Sequence, residues 1–266
     1  MNMPAAVGGW SAVNVAGEPQ GPGRLIVNAD DWGQSFETTE RIFDCVRRGT
    51  VSSASAMVFM EDSERAAAKA LENGVDAGLH LNLTTPFSAP GCPARLVERQ
   101  HELAAYLRRH RLAQVIFHPG LRNSFKYVVA AQLDEFSRIY RTAPARIDGH
   151  HHMHLCANVL LGNLLPPRTI VRRNPSFLRR EKSLINRSYR RTVDQFLARR
   201  HRVVDFFFTL APVEPLARVQ RIFSLSRDFV VEVETHPVEP EEYLFLTREE
   251  VTQIGTLQIA RKFDLS

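Results

Sequence analysis

The chain has 266 residues, 44% of them hydrophobic and 24% charged, with a net charge of +5. That balance is ordinary for a globular protein with a sizeable core, and it excludes a disordered or low-complexity chain. No apolar run approaches the ~18 residues needed to span a bilayer, so no membrane span is expected.

Residues 1–23 are rich in Gly, Pro, Ala and Ser and lack a basic stretch followed by an apolar one. They read as a poorly ordered lead-in, not as a secretory signal. Residues 25–29 predict a first strand and 35–48 a helix closed by Gly49. A second strand is expected over 50–59, then a helix over 62–72 ended by Asn73-Gly74, a left-handed capping pair. Residues 75–82 predict a third strand, and 86–93 a loop rich in Gly and Pro. Helices follow over 96–111 and 124–141; in the second, Phe125, Val128, Val129, Leu133, Phe136 and Tyr140 approximate the spacing of a buried face. Next come a strand over 146–150, a helix over 159–165 stopped by Pro166-Pro167, and a strand over 169–172. A helix over 182–200, a strand over 203–208, a helix around 216–223, a strand over 229–235 and a terminal helix from Thr247 complete the pattern.

Seven strands alternating with helices, with no hairpin signal between them, imply parallel strands covered by helices. The expected fold is α/β, a closed or nearly closed (β/α) barrel of about seven strands, forming a single catalytic domain over residues 24–266. Cys45, Cys92 and Cys156 are odd in number and widely spaced, which argues against a disulfide framework and for a reducing, cytoplasmic setting. Between Arg168 and Arg202 arginines crowd the chain, among them Arg172, Arg173, Arg190 and Arg199. Solvated helix faces explain such a run better than an anion-binding surface, and no aromatic stacking platform accompanies it, so nucleic acid is not the expected partner. The sequence is compatible with a homo-oligomer and does not fix the oligomeric state.

The chemistry begins at Asn28-Ala29-Asp30-Asp31-Trp32-Gly33, where two adjacent aspartates end an apolar strand. Like charges so close and so buried disfavour ionising together, and a bound cation is the usual remedy. Barrel active sites gather at the C-terminal ends of strands. Asp30 and Asp31 end the first strand, His80 lies near the end of the third, His150 ends the fourth, Arg172 the fifth and His236 the last. One carboxylate with two imidazoles suits Zn²⁺ or a similar divalent ion and leaves positions for water and substrate, a hydrolase arrangement. The second carboxylate is then a natural general base, and His236 the candidate general acid. Within residues 150–154, strand alternation points His150, His152 and His154 to one face. Residues two apart in a strand stand about 6–7 Å apart, so one of the three binds metal, and geometry leaves open which.

Four segments in order carry a resemblance: Leu25-Ile26-Val27-Asn28-Ala29-Asp30-Asp31-Trp32-Gly33, Gly49-Thr50-Val51-Ser52-Ser53-Ala54-Ser55, Gly78-Leu79-His80-Leu81-Asn82-Leu83-Thr84 and Ile147-Asp148-Gly149-His150-His151-His152-Met153-His154. They resemble the YdjC-like carbohydrate deacetylases, a family that includes chitooligosaccharide deacetylases and hopanoid-biosynthesis HpnK proteins. The resemblance spans about residues 24–240 and implies a distorted TIM-like (β/α) barrel. It implies Asp31, His80 and His150 as ligands of one divalent metal ion, Mg²⁺ or Zn²⁺, and Asp30 as base. Asp148, His152, His154 and Arg172 then fall to supporting the ligands or touching substrate. Two departures stand out: Trp32 where the family usually carries Phe, expected to reshape the site wall, and Val238 after His236-Pro237 where Gly is common.

The leading expectation is metal-dependent hydrolysis of an N-acetyl group from an amino sugar or oligosaccharide. The rivals are hydrolysis of a phosphate or other ester, and a non-catalytic barrel that binds sugar or nucleic acid.

Overall fold

The computed structural model describes residues 23–109, 111–176, 183–248 and 259–265. The expected lead-in, apart from Gly23, and most of the terminal helix expected from Thr247 lie outside the described residues.

Seven strands form one parallel sheet: β1 (Arg24–Trp32), β2 (Ser53–Ala56), β3 (Ala77–Leu81), β4 (Arg146–Gly149), β5 (Ile170–Val171), β6 (Phe206–Thr209) and β7 (Val230–Thr235). Their spatial order is β5-β4-β3-β2-β1-β7-β6. The edges β5 and β6 are brought together by flanking chain: Ile170 bridges Arg202 in parallel, and Ser176 N–H donates to the Phe207 carbonyl at 2.6 Å. The sheet is thereby curled into a TIM-like α/β barrel, as expected. The helices between the strands are α1 (Phe36–Arg48), α2 (Ser63–Asn73), α3 (Ala94–Arg109), α4 (Arg122–Tyr140), α5 (Ala157–Leu161), α6 (Leu184–Ala198) and α7 (Leu216–Ser224), with α8 (Pro240–Thr247) following β7. None is long and apolar enough to cross a membrane among the described residues.

Capping chemistry sets the helix limits. Ser35 accepts from the Thr38 N–H at the start of α1, and Gly49 closes it with φ 75°. Pro240 and the acidic pair Glu241-Glu242 open α8, a start signal that the sequence reading passed over.

Three expectations need correction. The second strand is shorter than 50–59, because Thr50 turns back onto the Cys45 carbonyl and Ser63 Oγ bridges Met57 and Met60 in a tight turn. The fourth strand stops at Gly149, and residues His150–Leu155 form a 3-10 turn kinked at His151 (φ 55°) and His152 (φ 56°). Alternation therefore does not govern the histidine run. Trp32 does not line the site: it is fully buried and its indole N–H donates to the Ala66 carbonyl on α2.

The aspartate pair owes its geometry to an irregularity in β1. Successive residues of a regular strand point to opposite faces. Here the register with β2 shifts between Ala29 and Trp32, and Asp31 takes φ 70°. That bulge turns Asp31 inward beside Asp30, the re-aiming for which such irregularities are known near active sites. Gly33 follows with φ 86°, where an added Cβ would lie 3.2 Å from both the Met57 carbonyl oxygen and Ser63 Cα.

Candidate metal centre and acid–base site

The inner end of the barrel is unusually charged for a core. Asp30, Asp31, Asp148, Glu232 and Glu234 converge there with Arg172 and His80, all buried. Strand pairing accounts for part of this: His80 and Asp148 are direct neighbours on β3 and β4, and Asn28 pairs with Glu234 across β1 and β7.

His80 Nδ1–H donates to Asp148 Oδ1 at 2.7 Å, which aims Nε2 at the aspartate pair, 3.3 Å from Asp31 Oδ1 and 3.8 Å from Asp30 Oδ2. His150 Nδ1 lies 2.9 Å from the same Asp31 oxygen. Asp31, His80 and His150 thus present one oxygen and two nitrogens to a common point, each within 4.8 Å of the others. Two donors about 2.1 Å from one ion stand roughly 3.0–3.4 Å apart in tetrahedral or octahedral geometry, so the separations fit a divalent cation. A carboxylate behind a ligating imidazole is the usual device for fixing its ring and tautomer, and Asp148 stands there.

Electrostatics agree with the geometry. Burial resists ionisation of Asp31, but hydrogen bonds with His150 and His80 hold its carboxyl below the usual range. Burial likewise resists charge on His80, yet Asp30, Asp148 and Asp31 together raise its pKa well above the ordinary imidazole value. The field that draws a proton to this ring is the field that a cation on Nε2 would neutralise.

Asp30 has a different environment. Arg172 grips it through Nη1 at 2.6 Å and Nη2 at 2.7 Å, and Asn28 Nδ2 donates to Oδ1 at 2.9 Å. Burial opposes its charge, but the guanidinium and the His80 ring hold it well below the usual carboxylate range.

Residues 24–256 match the YdjC-like protein family. The chain belongs to that family. A chitooligosaccharide deacetylase of Yersinia pestis (strain Pestoides F) is 30% identical over 136 residues, 51% of this chain and 52% of that protein. A carbohydrate deacetylase of Mus musculus is 30% identical over 148 residues, 51% of this chain and 44% of that one. The chain spans about half the length of the curated relatives it matches. A solved structure from Enterococcus faecalis V583, provisionally described as a cellobiose-phosphate cleavage protein, has a TM-score of 0.63 at 19% identity. It covers 90% of this chain and 97% of its own, and it shares the fold.

In this YdjC-like chain the remaining sequence candidates fall in distinct places. His236 stands at the rim after β7, its Nε2 3.7 Å from Glu234 Oε1, and half-buried. His152 Nε2 lies 3.7 Å from the other Glu234 oxygen. His154 is set back from the ligands: its Nε2–H donates to the Arg172 carbonyl at 2.9 Å, and burial pushes its pKa down to about 4. Gly149 permits this, since a Cβ there would come within 2.9 Å of His154 N and Nδ1. Arg172 is fully buried with its guanidinium on protein carboxylates; Arg173 is buried too, paired with Asp194 at 2.8 Å. Neither of the readings offered for the arginine run, solvated faces or anion surface, describes these two. Cys45 and Cys156 are buried thiols pushed up to about 12, as expected of structural cysteines.

Several residues escaped the sequence reading. Ser53 donates to Asn28 Oδ1 at 2.7 Å, Asn28 to Ser55 Oγ at 2.7 Å, and Ser55 to Asp148 Oδ2 at 2.5 Å. This relay ties β1, β2 and β4 together behind the candidate ligands. Glu232 and Glu234 were the larger omission. Two glutamates at alternate positions of the apolar strand Val230–Thr235 carry the same desolvation signal as the aspartate pair.

Proposed function

We propose that this protein is a metal-dependent carbohydrate N-deacetylase, removing acetyl from an N-acetylated amino sugar or oligosaccharide. The observation that carries the reading is a three-donor centre, Asp31, His80 and His150, with a further carboxylate, Asp30, held 3.8 Å from His80 Nε2. The names borne by its relatives support the reaction class. Asp31, His80 Nε2 and His150 Nδ1 would hold one divalent ion, and two nitrogens with one oxygen favour zinc over magnesium. Bound there, the ion supplies Lewis acidity toward the acetamide oxygen and toward water.

The chain's own groups do the rest. Asp30 takes the proton of the attacking water at the carboxylate that Arg172 keeps ionised and oriented. His236, at the rim, gives a proton to the departing nitrogen, leaving acetate and a free amine. His152 and His236 each stand 3.7 Å from a Glu234 oxygen, while Asp148 and the Asn28–Ser55 relay hold His80 in place. No separate phosphate reading is favoured, since Arg172 and Arg173 are buried in ion pairs. A binding module, for its part, has no use for a proton acceptor beside the ligands.

Asp30→Asn tests the assignment. Acetate release from N-acetylated chitooligosaccharides at saturating zinc should fall about 100-fold or more, with metal content unchanged. Near-wild-type release by the variant would refute the role of Asp30.

A further inference from the structure

Glu232 has no part in the reading above, yet it occupies the centre of the barrel. It sits in β7, wholly buried, two positions before Glu234 and with its strand neighbours Ile26 on β1 and Phe207 on β6. Its Oε1 accepts from Arg172 Nε at 2.7 Å, while its Oε2 has no hydrogen-bond partner among the described residues. The guanidinium it holds uses its other two nitrogens on Asp30, and Nη2 also lies 3.1 Å from Asp148 Oδ2. The Phe207 ring lies 4.9 Å from the same guanidinium, and the Arg172 carbonyl is tied to His154. Arg172 is therefore fixed at three corners, and only one, the edge bonded to Glu232, lies away from the metal centre.

We propose that Glu232 is a positioning residue for the reaction: it acts through Arg172 to hold the Asp30 carboxylate in register with the substrate water. A planar guanidinium has five donors in a fixed fork, so anchoring Nε fixes the plane in which Nη1 and Nη2 present themselves to Asp30. Without that anchor the guanidinium can tilt on its Asp30 contacts toward Glu234, whose Oε1 is 3.7 Å from Nη1. Catalytic groups displaced by as little as an ångström lose large factors in rate. The arrangement also carries a thermodynamic mark. Burial pushes the Glu232 carboxyl up to about 7 against the pull of Arg172, and half of it is unsatisfied. A buried carboxyl with one oxygen unsatisfied costs stability, so packing alone does not explain its place.

The inference rests on the deacetylase reading, and the test separates the two. In Glu232→Met, which leaves Arg172 Nε without an acceptor, kcat for acetate release from a chitooligosaccharide should fall about tenfold or more, with KM and zinc content within twofold of wild type. The melting temperature should be equal or higher. In an Arg172→Met background the same substitution should change kcat by less than twofold, because its effect travels through Arg172. Glu232→Gln, which keeps an oxygen to accept from Arg172 Nε, should retain kcat within about threefold of wild type. A kcat loss that tracks a lower melting temperature, or that multiplies with the loss in Arg172→Met, would overturn the proposal; so would an unchanged kcat. If wild type releases no acetate from any acetylated sugar, the deacetylase reading fails by itself. The positioning role is then read from the Arg172 Nε–H resonance in ¹⁵N NMR. It should be protected from exchange in wild type and lost or displaced in Glu232→Met, and an unchanged resonance would overturn it.

Discussion

Asp148 illustrates how much of this site is decided one residue at a time. Its carboxylate accepts from His80 Nδ1 on one oxygen and from Ser55 on the other, which also lies 3.1 Å from Arg172 Nη2. Asp148→Asn preserves volume but weakens the charge-assisted bond that fixes the His80 tautomer. Zinc affinity, measured by competition with a chromophoric chelator, should therefore drop about 10- to 100-fold; unchanged affinity would mean that His80 is held by other contacts. The residues with distinctive chemistry, Asp30, Asp31, His80, His150 and His236, were legible in the sequence because each ends or follows a predicted strand. Arg172 was visible too, but not its task. Its partners Asp30 and Glu232 lie 142 and 60 positions away, and nothing local to an arginine-rich segment says that one member turns inward.

At the scale of elements, two irregular segments deliver the candidate ligands. The bulge in β1 brings Asp31 to the same side as Asp30, and the left-handed pair His151-His152 folds the histidine run into a turn behind β4. Both were invisible to pattern reading, which assumes regular alternation, and both depend on glycine. Gly33→Ala would strain a φ of 86° and drive a Cβ to 3.2 Å from the Met57 carbonyl. We expect a loss of about 1–3 kcal/mol in urea unfolding, with zinc affinity falling alongside because the adjacent Asp31 shares the distortion. A variant as stable as wild type would show that the bulge tolerates a side chain. Strand order along the chain, by contrast, was largely recoverable: periodicity and caps located all seven strands, and errors were confined to their ends.

For the whole molecule, the concentration of buried titratable groups in one end of the barrel makes stability depend on acidity. Burial lowers the His154 pKa from 6.5 to about 4, so the neutral ring belongs to the folded state. Its contribution is present above pH 6.5 and is lost as pH falls through about 4, since the unfolded chain binds the proton first. Over that window one proton gives a slope of up to about 1.4 kcal/mol per pH unit. Glu232, raised from 4.5 to about 7, opposes this slope because its folded form binds the proton first, and His152, lowered to about 3, adds to it. In the metal-free protein His154→Gln should therefore make the slope less positive by up to about that amount. Asp30 and Asp31, whose pKa values are lowered, add their own loss only at more acidic pH, below the ordinary carboxylate range. A slope unaltered in His154→Gln would mean that other groups take up the proton. The central claim, that three donors and a neighbouring carboxylate make this barrel a metal-dependent deacetylase, is tested most directly by acetate release from N-acetylated chitooligosaccharides. The assay compares chelator-stripped protein with the same protein after one equivalent of zinc. The account predicts no release without the ion and full release at one equivalent, with Asp31→Ala inactive in both; release that persists after stripping, or none after zinc is restored, would contradict it.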